Sequence, residues 1–286
     1  MRISWTIATL LLPAMLFAQE RVKVKGRIIN RQGEAVEYVQ VGLPGQQIGT
    51  VSTFDGRFEI EVPCDTLEFF HVSYQPASYP VTGPSDDVVI VLQEQELPPA
   101  VFIEGKAKEK YLLRSGKKVL GNKAIISFSF QDGSPKGREL GSVAKVKKPF
   151  LVKDILLSVH SNHIPGCVAA INIYRIDGED GAFVNVLHRP MYFDVAVSDR
   201  PQDFDIRPEE PLLLERGRYF IAFQIVGCDE EALEAVLAKH EKDRIFWGMT
   251  MDFVMYYKGS YLRETALGEM KHYPVNIGIS VKGLDY

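Results

Sequence analysis

Short segments of alternating apolar and charged residues, each stopped by a turn motif, run through residues 22–92 and fix the fold class. Val22, Val24 and Gly26 alternate with Lys23, Lys25 and Arg27, the period-two pattern of a strand with one face buried. Asn30 to Gly33 then supplies turn chemistry. Segments 36–41 and 48–53 follow, and Phe54-Asp55-Gly56 is a hairpin signal of the Asp-Gly kind. Phe58, Ile60 and Val62 alternate with Arg57, Glu59 and Glu61 until Pro63 stops them. Segments 67–74 and 88–92 complete a set of short strands without helices, which predicts a small all-β sandwich over residues 19–95.

Residues 96–118 carry Pro98-Pro99 and a charged stretch, and read as a linker. From 119 to 286 the apolar strands are denser. They are expected at 124–130, 140–146, 150–159, 168–176, 183–187, 191–197, 219–226, 245–251, 253–257 and 275–281. This set predicts a larger, jelly-roll-like sandwich. One helix is expected, at 229–240, inserted between strands. Asp229 suits its cap, Glu230 and Glu231 its positive end, and Lys239 and His240 its negative end.

Ahead of both domains, Arg2 and an apolar run over 7–17 form a secretory signal, with cleavage expected after Ala18. The run falls short of the roughly 20 apolar residues that span a bilayer. No later segment is apolar for long enough to cross one, so an exported chain without a transmembrane segment is expected after cleavage. Periplasm, outer-membrane surface and secretion stay open as destinations. Losing Arg2 takes the formal charge from −4 to −5. A mildly acidic chain of sequence pI 5.9 has no long-range attraction for nucleic acid. Lys136, Arg138, Lys145, Lys147, Lys148 and Lys153 form the one basic cluster, read as a solvated face.

The stretches V-K-G-R-I-I-N-R-Q-G-E-A-V-E-Y-V-Q-V and G-T-V-S-T-F-D-G-R-F-E-I-E-V carry a resemblance. They are similar to the carboxypeptidase regulatory-like domain, a prealbumin-like sandwich common in exported Bacteroidetes proteins. Gly26, Gly33, Val36, Val39, Val41, Gly49, Thr50, Thr53, Asp55, Gly56 and Phe58 carry it. The resemblance implies turns at Gly33 and Gly56 and a core of Val36, Val39, Val41 and Phe58. It also implies a hairpin braced by Thr53 and Asp55. It covers about residues 21–93. The domain is an accessory module in carboxypeptidases, and no zinc-peptidase motif follows it. The segment G-R-E-L-G-S at 137–142 looks like the C-terminal part of similar small exported proteins and adds no chemistry.

Candidate chemistry is sparse. His160 and His163 would converge on a metal only if the chain turned between them, and two solvated histidines is the simpler reading. Asp203, Asp205, Glu209 and Glu210 sit among prolines and read as an exposed loop before a carboxylate or calcium site. Asp177, Glu179 and Asp180 read first as a hairpin turn. No G-x-S-x-G occurs. Cys64, Cys167 and Cys228 leave an odd thiol in an oxidising compartment. Cys167 and Cys228 either pair as a disulfide or join Cys64 as small hydrophobes. Trp247, Phe253, Tyr256, Tyr257, Tyr261 and Tyr273 crowd the C-terminal segment. The simpler reading makes Trp247 and Phe253 core and has Tyr256 and Tyr257 straddle a strand. Trp247 and the four tyrosines would be the recognition surface if exposed together.

The expected function is therefore a noncatalytic exported protein that scaffolds or binds an envelope partner, without cofactor or metal. Carbohydrate recognition by the second sandwich is the alternative, and a hydrolase of unrecognised type the next.

Overall fold

The computed structural model describes residues 21–96, 105, 107–121, 123–130, 134–178, 181–240 and 249–286. The signal segment 1–18, Glu179 and Asp180 of the expected turn, and residues 245–248 of an expected strand, Trp247 among them, lie outside the described residues.

The first domain has seven strands: β1 (Val22–Asn30), β2 (Gln40–Gly42), β3 (Gly49–Val51), β4 (Arg57–Val62), β5 (Thr66–Phe70), β6 (Ala77–Pro80) and β7 (Ser85–Leu92). They form two sheets, ordered β4-β1-β7 and β3-β2-β5-β6. β1 pairs antiparallel with β4 and parallel with β7. Strict alternation in β4 buries Phe58, Ile60 and Val62 and exposes Arg57, Glu59 and Glu61. Between the sheets lies a core that includes Val24, Ile28, Val36, Val39, Val41, Phe58, Phe69 and Leu92.

The hairpin at 53–57 shows why its residues are what they are. The Thr53 hydroxyl lies 2.5 Å from Asp55 Oδ1, and the Arg57 N–H donates to Thr53 Oγ1 at 3.1 Å. Gly56 has φ +77°, and a Cβ there would stand 2.4 Å from the Ile28 carbonyl oxygen. That combination admits only glycine. Segment 36–41 is strand only from Gln40, because Tyr38 turns the chain with φ 51°. Strand β6 is not legible in the sequence, its four residues being partly exposed and bounded by proline.

The second domain begins earlier than its sequence pattern. β8 (Lys108–Leu113) lies within the stretch expected to be linker. Its charges hide it: as an edge strand it keeps Lys108, Glu109 and Lys110 in solvent and buries only Leu113. Next come β9 (Ile125–Ser129), β10 (Glu139–Val146), β11 (Phe150–Val159), β12 (Ser161–Asn162), β13 (Cys167–Asp177), β14 (Ala182–Asn185) and β15 (Met191–Val195). After them run β16 (Gln202–Ile206), β17 (Leu212–Leu214) and β18 (Gly217–Gly227). Helix α1 (Glu230–His240) then separates β18 from β19 (Thr250–Val254), β20 (Tyr256–Arg263), β21 (Lys271–Asn276) and β22 (Ser280–Asp285).

A seven-stranded sheet runs β14-β13-β18-β10-β20-β21, with β15 also on β13. A five-stranded sheet runs β16-β11-β22-β8, with β17 also on β11. β12-β19-β9 form a third, shorter sheet. The chain passes repeatedly from one sheet to another around a core built on Phe128, Phe150, Ile155, Ile173, Phe223 and Phe253. Phe128, Phe223 and Phe253 meet edge to face, with centroids 4.8–5.6 Å apart. The described residues are all-β apart from the one expected helix, whose Asp229 caps it through Oδ1 and the Ala232 N–H at 2.9 Å. No helix among the described residues is long and apolar enough to cross a membrane.

Two further expectations change. Asp203 and Asp205 are the exposed face of strand β16, with Phe204 and Ile206 turned inward, so this stretch is paired sheet and not a loop. The strand expected at 275–281 is divided between two, β21 and β22, separated by Gly278 at φ +75°.

Candidate functional site: the seam and cleft between the sandwiches

Strands β10, β13, β18 and β20 carry large apolar residues toward the main core. Their other face carries Glu139, Ala170, Asn172, Tyr174, Phe220, Ala222, Gln224 and Arg263, all buried. The first domain docks on one part of that face. Val51 of β3 packs with Ala170, Val226 and Ala266, flanked by Tyr38, Val168 and Tyr192. The Tyr38 ring meets Tyr192 edge to face at 5.1 Å. Its φ of 51° is uncommon for a bulky side chain, and the strain falls at the contact between domains.

Backbone approaches the seam closely. The Gly45 N–H donates to the Leu267 carbonyl at 3.0 Å. A Cβ on Gly49 would stand 2.0 Å from the Ala266 carbonyl oxygen, where neither side can give. Gly49→Ala is therefore expected to cost about 1–3 kcal/mol and to loosen the docking. Hydrogen exchange should then rise at 264–268 while the β1–β4 amides stay protected. Unchanged exchange there would refute it.

Under the seam lies a polar network that the sequence pattern does not reveal. Glu139 has no solvent exposure. Its Oε1 accepts hydrogen bonds from Asn172 Nδ2 and from the Tyr174 hydroxyl, each at 2.7 Å. Arg263 Nη1 stands 3.1 Å from Glu139 Oε2, near enough to pair in charge, yet off the hydrogen-bonding direction. Asn172 Nδ2 also donates to Gln224 Oε1 at 2.8 Å. Burial pushes the Glu139 carboxyl above the usual range, opposed by the Arg263 charge and the two hydrogen bonds. The available signal is a polar residue inside an apolar run: Asn172 in A-A-I-N-I-Y and Gln224 in I-A-F-Q-I-V.

A second polar contact crosses the seam at His71. The Ser73 N–H donates to His71 Nδ1 at 3.1 Å, which leaves the proton on Nε2, 3.2 Å from the Tyr192 hydroxyl. Burial holds this imidazole down to about 4. The Ser73 hydroxyl donates to the His188 carbonyl at 3.1 Å.

Beside the seam the two domains leave a cleft of about 1040 Å³. One wall is the 53–57 hairpin, with Asp86 and Asp87 at the start of β7. The other is Lys136, Cys228 and the first turn of α1. Seven carboxylates and four cations line it, so it is acidic. Lys136 pairs with Glu230, Lys25 with Glu59 at 3.0 Å, and Arg57 with Asp55 at 3.4 Å. The Thr53 hydroxyl lowers the Asp55 carboxyl from its ordinary range. Phe54 is 73% exposed on this wall.

Of the recognition, metal and disulfide candidates named from sequence, Cys228 alone lines the cleft; Thr53 and Asp55 of the hairpin, Lys136 of the basic cluster and Asp229 to Glu231 at the helix start line it too. Tyr256 lies on Gly278, Tyr261 sits edge to face on Phe183 at 4.8 Å, and Tyr273 packs on the main core. Tyr261 is opposite His272 and Ser260 is opposite Tyr273, so Tyr261 and Tyr273 point to opposite faces of the β20–β21 pair. Only Tyr257 is exposed among these four, and no shared platform results. His160 and His163 flank β12, and their N–H groups bond to the Asp252 and Thr250 carbonyls of β19. His163 Nε2 lies 2.8 Å from Asp199. Asp177 pairs with Arg175 at 2.7 Å, Asp205 with Arg207 at 3.2 Å, and Glu210 with Arg189 at 3.4 Å. The basic cluster divides: Lys136 and Arg138 lie before β10, while Lys145, Lys147, Lys148 and Lys153 are exposed at its far end and on β11. All three cysteines carry free thiols, Cys64 exposed, Cys167 buried and Cys228 half-buried. No group of three or more His, Cys, Asp or Glu among the described residues is placed to hold a metal ion.

Fold and site together define an all-β protein of two sandwiches docked through a polar seam beside an acidic cleft. No family model matches the chain. It is similar to the TonB-dependent receptor SusC of Bacteroides thetaiotaomicron, 27% identical over 177 residues. That match takes in 61% of this chain and spans 15% of the receptor's length. Among solved structures, a DUF3823 family protein from Parabacteroides merdae matches 90% of this chain and 98% of its own, at 11% identity and a TM-score of 0.21. A structure of infectious bursal disease virus, Gt strain, matches 96% of this chain and 57% of its own, at 12% identity and a TM-score of 0.28.

Proposed function

We propose that this is an exported envelope protein of Bacteroidetes type that binds a partner without catalysis, through the cleft between its sandwiches. The cleft carries the reading: it is concave, both domains build it, and its exposed large apolar side chain, Phe54, has no packing role that would explain it. The likeness to a TonB-dependent receptor supports an envelope setting and a partner of that class. The hairpin of Thr53, Asp55 and Gly56 supports the regulatory-like reading of the first sandwich, an accessory module and not an enzyme. The charged groups of the cleft whose pairs are named above are engaged with one another, an arrangement suited to recognition more than to proton transfer.

The test is capture from the native envelope with the tagged full chain, run beside Phe54→Ala. Phe54 is so exposed that its loss leaves folding intact. An aromatic anchor of a protein interface is worth about 2 kcal/mol or more, so capture should weaken at least about tenfold. Equal capture by both forms would remove the cleft from the proposal. A glycan array probed with the same protein decides the carbohydrate alternative.

A further inference from the structure

The start of β13 meets the end of β18 across an irregular register that shifts between Val168 and Ala169. Val168 is the register partner of Gly227. On the far side, a Cβ on Gly166 would lie 2.9 Å from the Asp229 Cβ, and the Asp229 N–H donates to the Pro165 carbonyl at 2.9 Å. Cys167 and Cys228 lie between these two contacts and continue the Val168–Gly227 pairing by one step. They face the same way, because Cys167 belongs to the main core and Cys228 packs against that core from its edge. Residues directly opposite in an antiparallel pair have Cα atoms about 4.5–5.5 Å apart, inside the roughly 4.4–6.8 Å that a disulfide needs. Cys64 has no such opposite number, since it is exposed at the end of β4 in the other domain.

We propose that Cys167 and Cys228 form a cross-strand disulfide when the chain folds in an oxidising compartment, and that Cys64 remains a free thiol. The oxidant is an external disulfide, carried by a small thiol or by a dithiol oxidoreductase. Cys228 serves as the attacking group while the strands approach, since it stays the more exposed of the two to the end: half-buried and lining the cleft, whereas Cys167 is buried. Its thiolate attacks one sulfur of the external disulfide, forming a mixed disulfide and releasing one thiol. The Cys167 thiolate then attacks Cys228 Sγ and releases the second. Two protein S–H bonds are lost, one S–S bond forms, and the two protons leave on the two thiols of the reduced oxidant. Burial pushes the Cys228 thiol up to about 11 and raises Cys167 as well, so exchange is slow once the strands have closed. The bond therefore forms during folding. It would close a loop of about 60 residues, constrain the unfolded chain, and fix the wall of the cleft that carries the start of α1.

Full-length protein is refolded from denaturant with oxidised glutathione, then denatured without reductant, alkylated, digested and weighed. The expected result is alkylation at Cys64 alone, a linked pair of peptides holding Cys167 and Cys228, and a melting temperature that falls on reduction. Cys64→Ser should leave the linked pair intact. Alkylation at all three cysteines, or a link from Cys64 to either partner, would overturn the proposal. Because the wild-type thiol count decides the matter, a Cys228→Ser chain that fails to fold does not obscure it.

Discussion

Arg263→Met should cost about 3–5 kcal/mol in urea denaturation, the range for removing one member of a buried ion pair. The penalty comes from what stays behind. Glu139 has no solvent exposure, and without the guanidinium only Asn172 and Tyr174 compensate its charge. Burial already raises its carboxyl, and losing Arg263 raises it further. The deficit should therefore shrink as the pH falls and Glu139 takes up a proton. Replacing both members, Glu139→Leu with Arg263→Met, should recover most of the loss, since two apolar groups leave no charge to compensate. A single variant within about 0.5 kcal/mol of the parent would mean that the pair contributes nothing.

Acid should weaken the protein through His71. Its folded value of about 4 lies below the ordinary 6.5, so the unfolded chain binds the proton first as pH falls. The stability of the neutral, buried form is complete above about 6.5 and is lost progressively as pH drops toward 4. At about 1.4 kcal/mol per pH unit the full loss is about 3 kcal/mol. Glu139 works with the opposite sign, its raised value favouring the folded state as pH falls, so total stability is not the right readout. The difference between the parent and His71→Gln isolates the histidine. That difference should change across pH 4–6.5 and stay flat above it. Hydrogen exchange should place the opening at residues 71–74 and 188–192, where the His71, Ser73, His188 and Tyr192 contacts cross the seam. A pH-independent difference would exclude His71 as the acid-sensitive group.

Alternation makes the first sandwich legible, because β4 has one wet face and one dry face and its residues record both. The second sandwich is legible where both faces are dry, as in β13 and β18, since long apolar runs mark such strands. Its edges are not. The charges of β8 serve an exposed rim, and in sequence they are indistinguishable from a linker. The proline-bounded β16 is hidden in a similar way. The cleft is invisible in the sequence because it belongs to neither domain, its walls being brought together only by docking. Phe54 can be named as part of a turn, but nothing local says that it shares an opening with Asp229 and Glu230. The aromatic cluster misleads for a related reason: sequence proximity places Tyr261 and Tyr273 together, while the pleat sends them apart.

The pairing of β8 with β22 governs when this protein can become itself. The Ser115 N–H, just after β8, donates to the Ser280 hydroxyl oxygen across a separation of 165 residues. Salt bridges from Lys110 to Asp285 and from Lys282 to Glu109 join the same two strands. The five-stranded sheet cannot close around its core until residues 280–285 have left the ribosome, so the first sandwich has time to fold alone while the second waits. An interval spent with open sheet edges invites aggregation, and the second sandwich passes through that interval whenever the chain is made anew.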